Sequence, residues 1–153
     1  MSEHVGPVVV GVDGSVDARR AMVVAGHHAA AIGAPLLVVH AVGLTEEIDG
    51  EHVPTFGRRD QIEGQVDTWC DALREVGLDQ FECRLVDGPP VDTLQRVAGE
   101  SGASAIVVGR RGIGGGPELL LGSTAHQVIE RAHCPVLVVP PVGRATTTNR
   151  SDD

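Results

Sequence analysis

The residues best able to do chemistry lie between positions 105 and 132. An apolar run, Ala105-Ile106-Val107-Val108, passes into Gly109-Arg110-Arg111-Gly112-Ile113-Gly114-Gly115-Gly116. It closes through Pro117-Glu118-Leu119-Leu120-Leu121 onto Gly122-Ser123-Thr124 and a helical pattern. A buried strand that spills into glycine and then enters a helix builds an anion site from main chain. The glycines let backbone N–H groups approach a ligand that any Cβ would hold away. The helix start adds N–H groups without intrahelical partners and the positive end of a dipole, with Ser123 the expected N-cap. The chemistry implied is phosphate binding.

Other reactive residue types carry less. A nucleophile needs a base within hydrogen-bond reach and a third group to orient it. Ser15 and Ser123 sit at predicted helix starts whose sequence neighbourhoods supply no such set, so no catalytic residue is assigned. The seven histidines (His4, His27, His28, His40, His52, His126 and His133) have no Cys or carboxylate at finger spacing, and no metal site is expected. Cys70, Cys83 and Cys134 are an odd number without a C-x-x-C pair and read as reduced thiols. Glu46, Glu47, Asp49 and Glu51 read as a solvated acidic loop.

Charge and composition narrow the phosphate in question. A formal net charge of −9 disfavours nucleic acid and anionic membrane as partners. Only three aromatics occur (Phe56, Trp69 and Phe81), too few for a platform that stacks single-stranded bases. Any phosphate site must therefore be local, made of backbone dipoles and one or two arginines. The glycine loop is not a Walker A motif, because no Gly-x-x-x-x-Gly-Lys-Ser/Thr occurs and the chain has no lysine. Nor is it the dinucleotide fingerprint, which would follow the first strand, where only Gly11-Val12-Asp13-Gly14 stands.

The elements that must position this loop follow from hydrophobic periodicity. Val8-Val9-Val10-Gly11-Val12 and Leu36-Leu37-Val38-Val39-His40-Ala41-Val42 are continuous apolar runs, as strands covered on both faces require. Between them, Asp13-Gly14-Ser15 caps a helix with Ala18, Ala21, Met22, Ala25, Ala29 and Ile32 on one face, ended by Gly33-Ala34-Pro35. Residues 43–57 show no period and are expected to be a surface loop. Ile62, Val66, Trp69, Cys70, Leu73 and Val76 mark one amphipathic helix stopped at Gly77.

Phe81-Glu82-Cys83-Arg84-Leu85-Val86 alternates, as a strand at or near a sheet edge would. A turn at Asp87-Gly88-Pro89-Pro90 leads to a helix with Val91, Leu94, Val97 and Ala98 inward. After the strand at 105–108 and the glycine loop comes a helix burying Ala125, Val128, Ile129 and Ala132, then a fifth strand bracketed by Pro135 and Pro140.

Five strands alternating with four helices predict an α/β fold: an open, doubly wound, Rossmann-like parallel sheet in the order 3-2-1-4-5, with helices on both faces. In that order Asp13 lies beside Gly109 where the winding reverses, the place such sheets bind ligands. A single domain is expected over residues 1–142, with a disordered polar tail at 143–153. No cationic leader and no apolar run near ~20 residues occurs, so a cytoplasmic protein is expected.

The spacing Gly109-x-x-Gly112, nine residues, then Gly122-Ser123 resembles the adenine-nucleotide motif of the universal stress protein family, in its ATP-binding branch. The resemblance covers nearly the whole chain. It includes Val9-Val10-Gly11-Val12-Asp13-Gly14-Ser15, Val39-His40-Ala41, Gly88-Pro89 and the closing Cys134-Pro135-Val136-Leu137-Val138-Val139.

The resemblance implies that Asp13 contacts the nucleotide by ribose or metal-bridged phosphate, and that backbone around Ala41 bonds the adenine edge. It implies that Gly109 and Gly112 admit ribose and phosphates, and that Gly122, Ser123 and Thr124 bind phosphate oxygens. It further implies ATP with Mg2+ as ligand, a homodimer formed through the last strand at Val136–Val139, and an unidentified protein partner. Arg110-Arg111 is a doublet where many members carry a small polar residue. Arg111 reinforcing phosphate binding and a solvated arginine pair both remain open. The triple glycine at 114–116 makes the loop costly to order, at about 1–2 kcal/mol per residue.

The implied protein is an ATP-binding, nucleotide-responsive module of stress response, with slow ATP hydrolysis the most that is admitted. The alternatives are a cyclic-AMP binder using the same pocket, or a nucleotide-independent interaction protein whose glycines only permit close packing.

Overall fold

The computed structural model describes residues 5–110 and 121–141. Five parallel strands, β1 (Val8–Gly11), β2 (Leu36–Val42), β5 (Glu82–Asp87), β6 (Ala105–Gly109) and β7 (Val136–Val139), form one sheet in the order β5-β2-β1-β6-β7. In chain order these are the five expected strands, and their arrangement is the predicted 3-2-1-4-5. The register sets Val8 against Leu36 on one side and Ala105 on the other. The winding therefore reverses at β1, between β2 and β6.

Period-2 alternation divides the apolar strands between two cores. Val8, Val10, Val38 and Val107 face one side, under α1 (Val16–Ile32) and the segment containing Cys70 and Leu73. Val9, Leu37, Val39, Ile106 and Val108 face the other, under α4 (Pro90–Ser101) and α5 (Ser123–Arg131). Helix α1 presents Ala18, Ala21, Ala25 and Ala29 to the sheet, and such small side chains let it lie close. It stops at Gly33 in the left-handed region (φ 68°), where glycine carries no Cβ penalty.

Four expectations are corrected. The stretch at 43–57 is not an irregular loop: β3 (Thr45–Ile48) and β4 (Glu51–Pro54) pair antiparallel as a separate hairpin. Asp49 (φ 51°) and Gly50 (φ 82°) form its two-residue turn, the Asp-Gly arrangement whose twist suits a tight hairpin. Its strands are acidic and largely exposed, so no hydrophobic alternation betrays them. The expected helix through Val76 is two helices, α2 (Arg59–Trp69) and α3 (Asp71–Arg74). At Cys70 (ψ −11°) the chain tightens, and Leu73 N–H bonds the Cys70 carbonyl at 3.0 Å, three residues back.

Val76 is exposed, and so are Ile129 of α5 and, marginally, Ile32 at the end of α1. Finally, Gly122 and not Ser123 occupies the N-cap of α5, with extended dihedrals (φ −66°, ψ 157°).

Candidate functional site

The turn after β1 is built by its own side chains. Asp13 Oδ1 accepts the Ser15 N–H at 2.9 Å, and Ser15 Oγ accepts the Ala18 N–H at 3.1 Å, capping α1. Gly14 is required there twice over. Its φ of 84° is costly for any side chain, and a Cβ would stand 2.5 Å from the Trp69 ring. Trp69 in turn meets the His40 ring edge-on, with centroids 5.1 Å apart. His40 Nδ1 donates to the Val12 carbonyl at 2.8 Å, which leaves Nε2 as the ring's acceptor when the imidazole is neutral.

These contacts tie the carboxyl ends of β1 and β2 to α2, and beside them opens a cleft of about 350 Å³. Asp13, His40, Ala41, Glu46, Gln65 and Trp69 are among its walls, and Glu47 and Asp49 of the hairpin complete an acidic side. Glu46 is not the fully solvated acid expected, since it is paired with Arg58 NH1 and is 22% exposed. The volume lies in the range of small-molecule sites. Carboxylates at the wall favour hydroxyl and amino donors and oppose a bare phosphate.

The other half of the predicted site lies across β1, at the end of β6. Arg110 N–H bonds the Val139 carbonyl at 2.9 Å, and the Arg110 carbonyl receives the Gly122 N–H at 2.6 Å. The chain thus re-enters at Gly122 directly beside the point where it left the sheet. The Gly122 amide, expected to bind phosphate, is committed to Arg110 instead. The first-turn amides of Ser123 and Thr124 lie beyond it at the start of α5, with Ser123 exposed and Thr124 half-buried.

Gly109 has a packing reason for its type. A Cβ there would meet the Asp17 main-chain carbon at 2.9 Å and oxygen at 3.0 Å, so its bareness admits the first turn of α1. Arg111 and Gly112 fall outside the described residues, as do the triple glycine at 114–116 and the tail at 143–153.

The structure therefore brings Asp13 and Ala41 to one cleft and sets Gly109, Gly122, Ser123 and Thr124 at the adjoining strand end. His40, Trp69 and Gln65 were not singled out as site residues from the sequence. His40 stood in the Val39-His40-Ala41 signature, whereas Trp69 and Gln65 carry no local signal because they reach the cleft only through the docking of α2. Among the described residues no cluster of three or more His, Cys, Asp or Glu stands ready for a metal, and no helix is long and apolar enough to cross a membrane.

Comparisons with known proteins fit this architecture. The family model described as "Universal stress protein family" matches residues 4–140. A universal stress protein from Thermus aquaticus is 34% identical over 132 residues, covering 86% of this chain and 96% of the relative. One from Bacillus subtilis is 34% identical over 145 residues, covering 86% and 97%. Among solved structures, a universal stress protein in complex with cAMP superposes with a TM-score of 0.69 at 32% identity, covering 91% of this chain and 99% of that one. One from Archaeoglobus fulgidus in complex with dAMP gives a TM-score of 0.63 at 28% identity, covering 88% and 97%. With the predicted sheet order present and the match running from the first strand through the last, this chain belongs to the universal stress protein family.

Proposed function

We propose that this protein binds an adenine nucleotide at the carboxyl ends of β1, β2 and β6, with ATP and Mg2+ the preferred ligand. The observation that carries this reading is the cleft of about 350 Å³ beside Asp13 and Ala41, next to the point where the sheet reverses its winding. Its acidic wall suits the ribose hydroxyls and the adenine amino group. Phosphates are directed away from it, toward the amides and hydroxyls of Ser123 and Thr124 at the positive end of α5. Arg111 and Gly112 are proposed to take part in phosphate binding as well. Solved relatives holding cAMP and dAMP support an adenine ligand in this fold.

The protein works, on this reading, as a homodimeric module of stress response: nucleotide shifts the population of one loop conformation and so changes a surface offered to a partner protein. Strand β7 is a sheet edge and Leu137 on it is 39% exposed, which suits pairing with a second copy. Titration calorimetry with ATP and Mg2+ tests the first step, and sedimentation with and without nucleotide tests the assembly. Heat of binding with one site per chain is expected. No heat and no thermal shift at millimolar ATP would overturn the proposal.

A second reading, preference for a nucleoside monophosphate or its cyclic form, is favoured by the ligands of the two solved relatives. Competition between ATP and cyclic AMP separates the two. No residue of the described site forms a nucleophile, base and orienting set, so the proposed role is binding, with at most slow hydrolysis.

A further inference from the structure

Two of the three cysteines, all read as reduced thiols in the sequence, meet in the fold. Cys70 sits at the tightened junction between α2 and α3 and is fully buried, with Leu73 beside it in the core under α1. Cys83 lies on edge strand β5, opposite Val38 of β2, and Val38 belongs to that same core. The register therefore turns Cys83 toward the face that Cys70 occupies, and the two sulfurs stand 3.0 Å apart. A disulfide needs about 2.05 Å, so roughly 1 Å of approach would join them. Both cysteines are free thiols, and Cys83 is exposed where Cys70 is not.

The pair is also chemically unequal. The hydrogen bond between the two sulfurs lowers the pKa of Cys83 and raises that of Cys70. Burial raises both, Asp67 raises both and Arg74 lowers both, while Glu82 adds a further upward push on Cys83. A thiol of lowered pKa on an exposed edge-strand residue, next to a buried partner thiol, is the arrangement of an oxidisable pair.

We propose that Cys70 and Cys83 form a redox-modification site, oxidised by a hydroperoxide to an intrachain disulfide and returned to two thiols by a dithiol reductant. Cys83, as thiolate, attacks one peroxide oxygen. The O–O bond breaks, hydroxide leaves and is protonated to water, and Cys83 becomes a sulfenic acid. Cys70 sulfur then attacks the Cys83 sulfur: the S–S bond forms, the S–O bond breaks, and the departing hydroxide takes the Cys70 proton as a second water. Two thiols and hydrogen peroxide thus give one disulfide and two waters, the sulfurs losing the two electrons that the peroxide gains. Thiol–disulfide exchange with a dithiol reverses the oxidation. The bond would staple edge strand β5 to the α2–α3 junction, immediately beside Trp69.

Trp69 is the chain's single tryptophan, so its fluorescence reports on the neighbouring sulfur. The full-length protein is exposed to hydrogen peroxide, its remaining thiols are alkylated, and it is digested without reductant. The expected product is a peptide joining Cys70 to Cys83, lighter by two hydrogens, with Cys134 alkylated. Loss of Trp69 fluorescence and an upward shift in melting temperature accompany it, and dithiothreitol reverses all three. Cys83→Ser is expected to leave Cys70 a thiol. Cys70→Ala is expected to stop Cys83 at a sulfenic acid that a 1,3-dione captures. Should Cys70→Ala fail to fold, the map of the unaltered protein still decides.

Oxidation of Cys83 to a sulfinic acid or to an intermolecular disulfide, with Cys70 left reduced, would overturn the proposal. So would a pair that stays reduced under peroxide sufficient to oxidise a free cysteine peptide. Neither result depends on whether nucleotide binds.

Discussion

Helices α1 and α5 both begin at the carboxyl ends of central strands, one on each face of the sheet, yet their first turns are finished differently. At α1 the chain supplies its own acceptors: Ser15 Oγ takes the Ala18 amide and Asp13 takes the Ser15 amide. At α5 the capping position is Gly122, which has no side chain to offer, and its own amide is used to hold the chain against Arg110. One helix start is capped by its own side chains, and the other, among the described residues, has no side-chain cap. Gly109 is bare because α1 fills the space its Cβ would take, whereas Gly122 is a buried glycine at the capping position of α5.

The contrast can be broken by substitution. Gly122→Val is expected to have the largest effect, since valine tolerates the extended dihedrals of that buried position and, on the proposed binding mode, stands where the phosphates meet the first turn of α5. We expect roughly a hundredfold loss of ATP affinity, about 2.8 kcal/mol, with an unchanged circular dichroism spectrum. Retained affinity would place the ligand elsewhere. Gly109→Ala is next. Its methyl would strike Asp17 main chain, so a loss of about 1–3 kcal/mol in denaturant unfolding is expected. If stability were unchanged and binding lost, Gly109 would belong with Gly122 and not with packing.

The serines provide a finer comparison. Ser15→Ala removes a cap and is expected to cost about 1 kcal/mol of stability with little change in nucleotide affinity. Ser123→Ala removes no cap, because Gly122 holds that position. Thermal unfolding without ligand is expected to be unaltered, while ATP affinity falls about threefold to tenfold, the worth of one neutral hydrogen bond. The two substitutions should thus exchange their readouts. Were Ser123→Ala to destabilise the unliganded protein as Ser15→Ala does, the distinction between the two helix starts would fail.

The thiol pair and the cleft make a related point about legibility. Asp13 and Ala41 could be brought to one end of the sheet from the sequence, because parallel strands of known order deliver their carboxyl ends together. The hairpin wall could not, since Thr45–Ile48 and Glu51–Pro54 have no buried face and hence no period, although Asp49-Gly50 was a usable turn signal. Cys70 and Cys83, thirteen positions apart with an intervening turn, carried no motif. Their proximity depends on a helix break and a strand register that local patterning does not encode. Ile129 fits the helical period but lies on the exposed flank of α5, because periodicity gives a direction around the helix and not the width of what covers it.

By itself, the sequence determined the alternation of elements, the apolar strands at the centre and the place where the winding reverses. Those properties rest on local propensity and on burying apolar side chains, which act wherever the chain sits. Only the tertiary structure decided which glycine is bare for packing, which amide is already used, and which two sulfurs touch. Such outcomes turn on separations of an ångström between segments distant in sequence, and nothing but the packed fold sets distances of that kind.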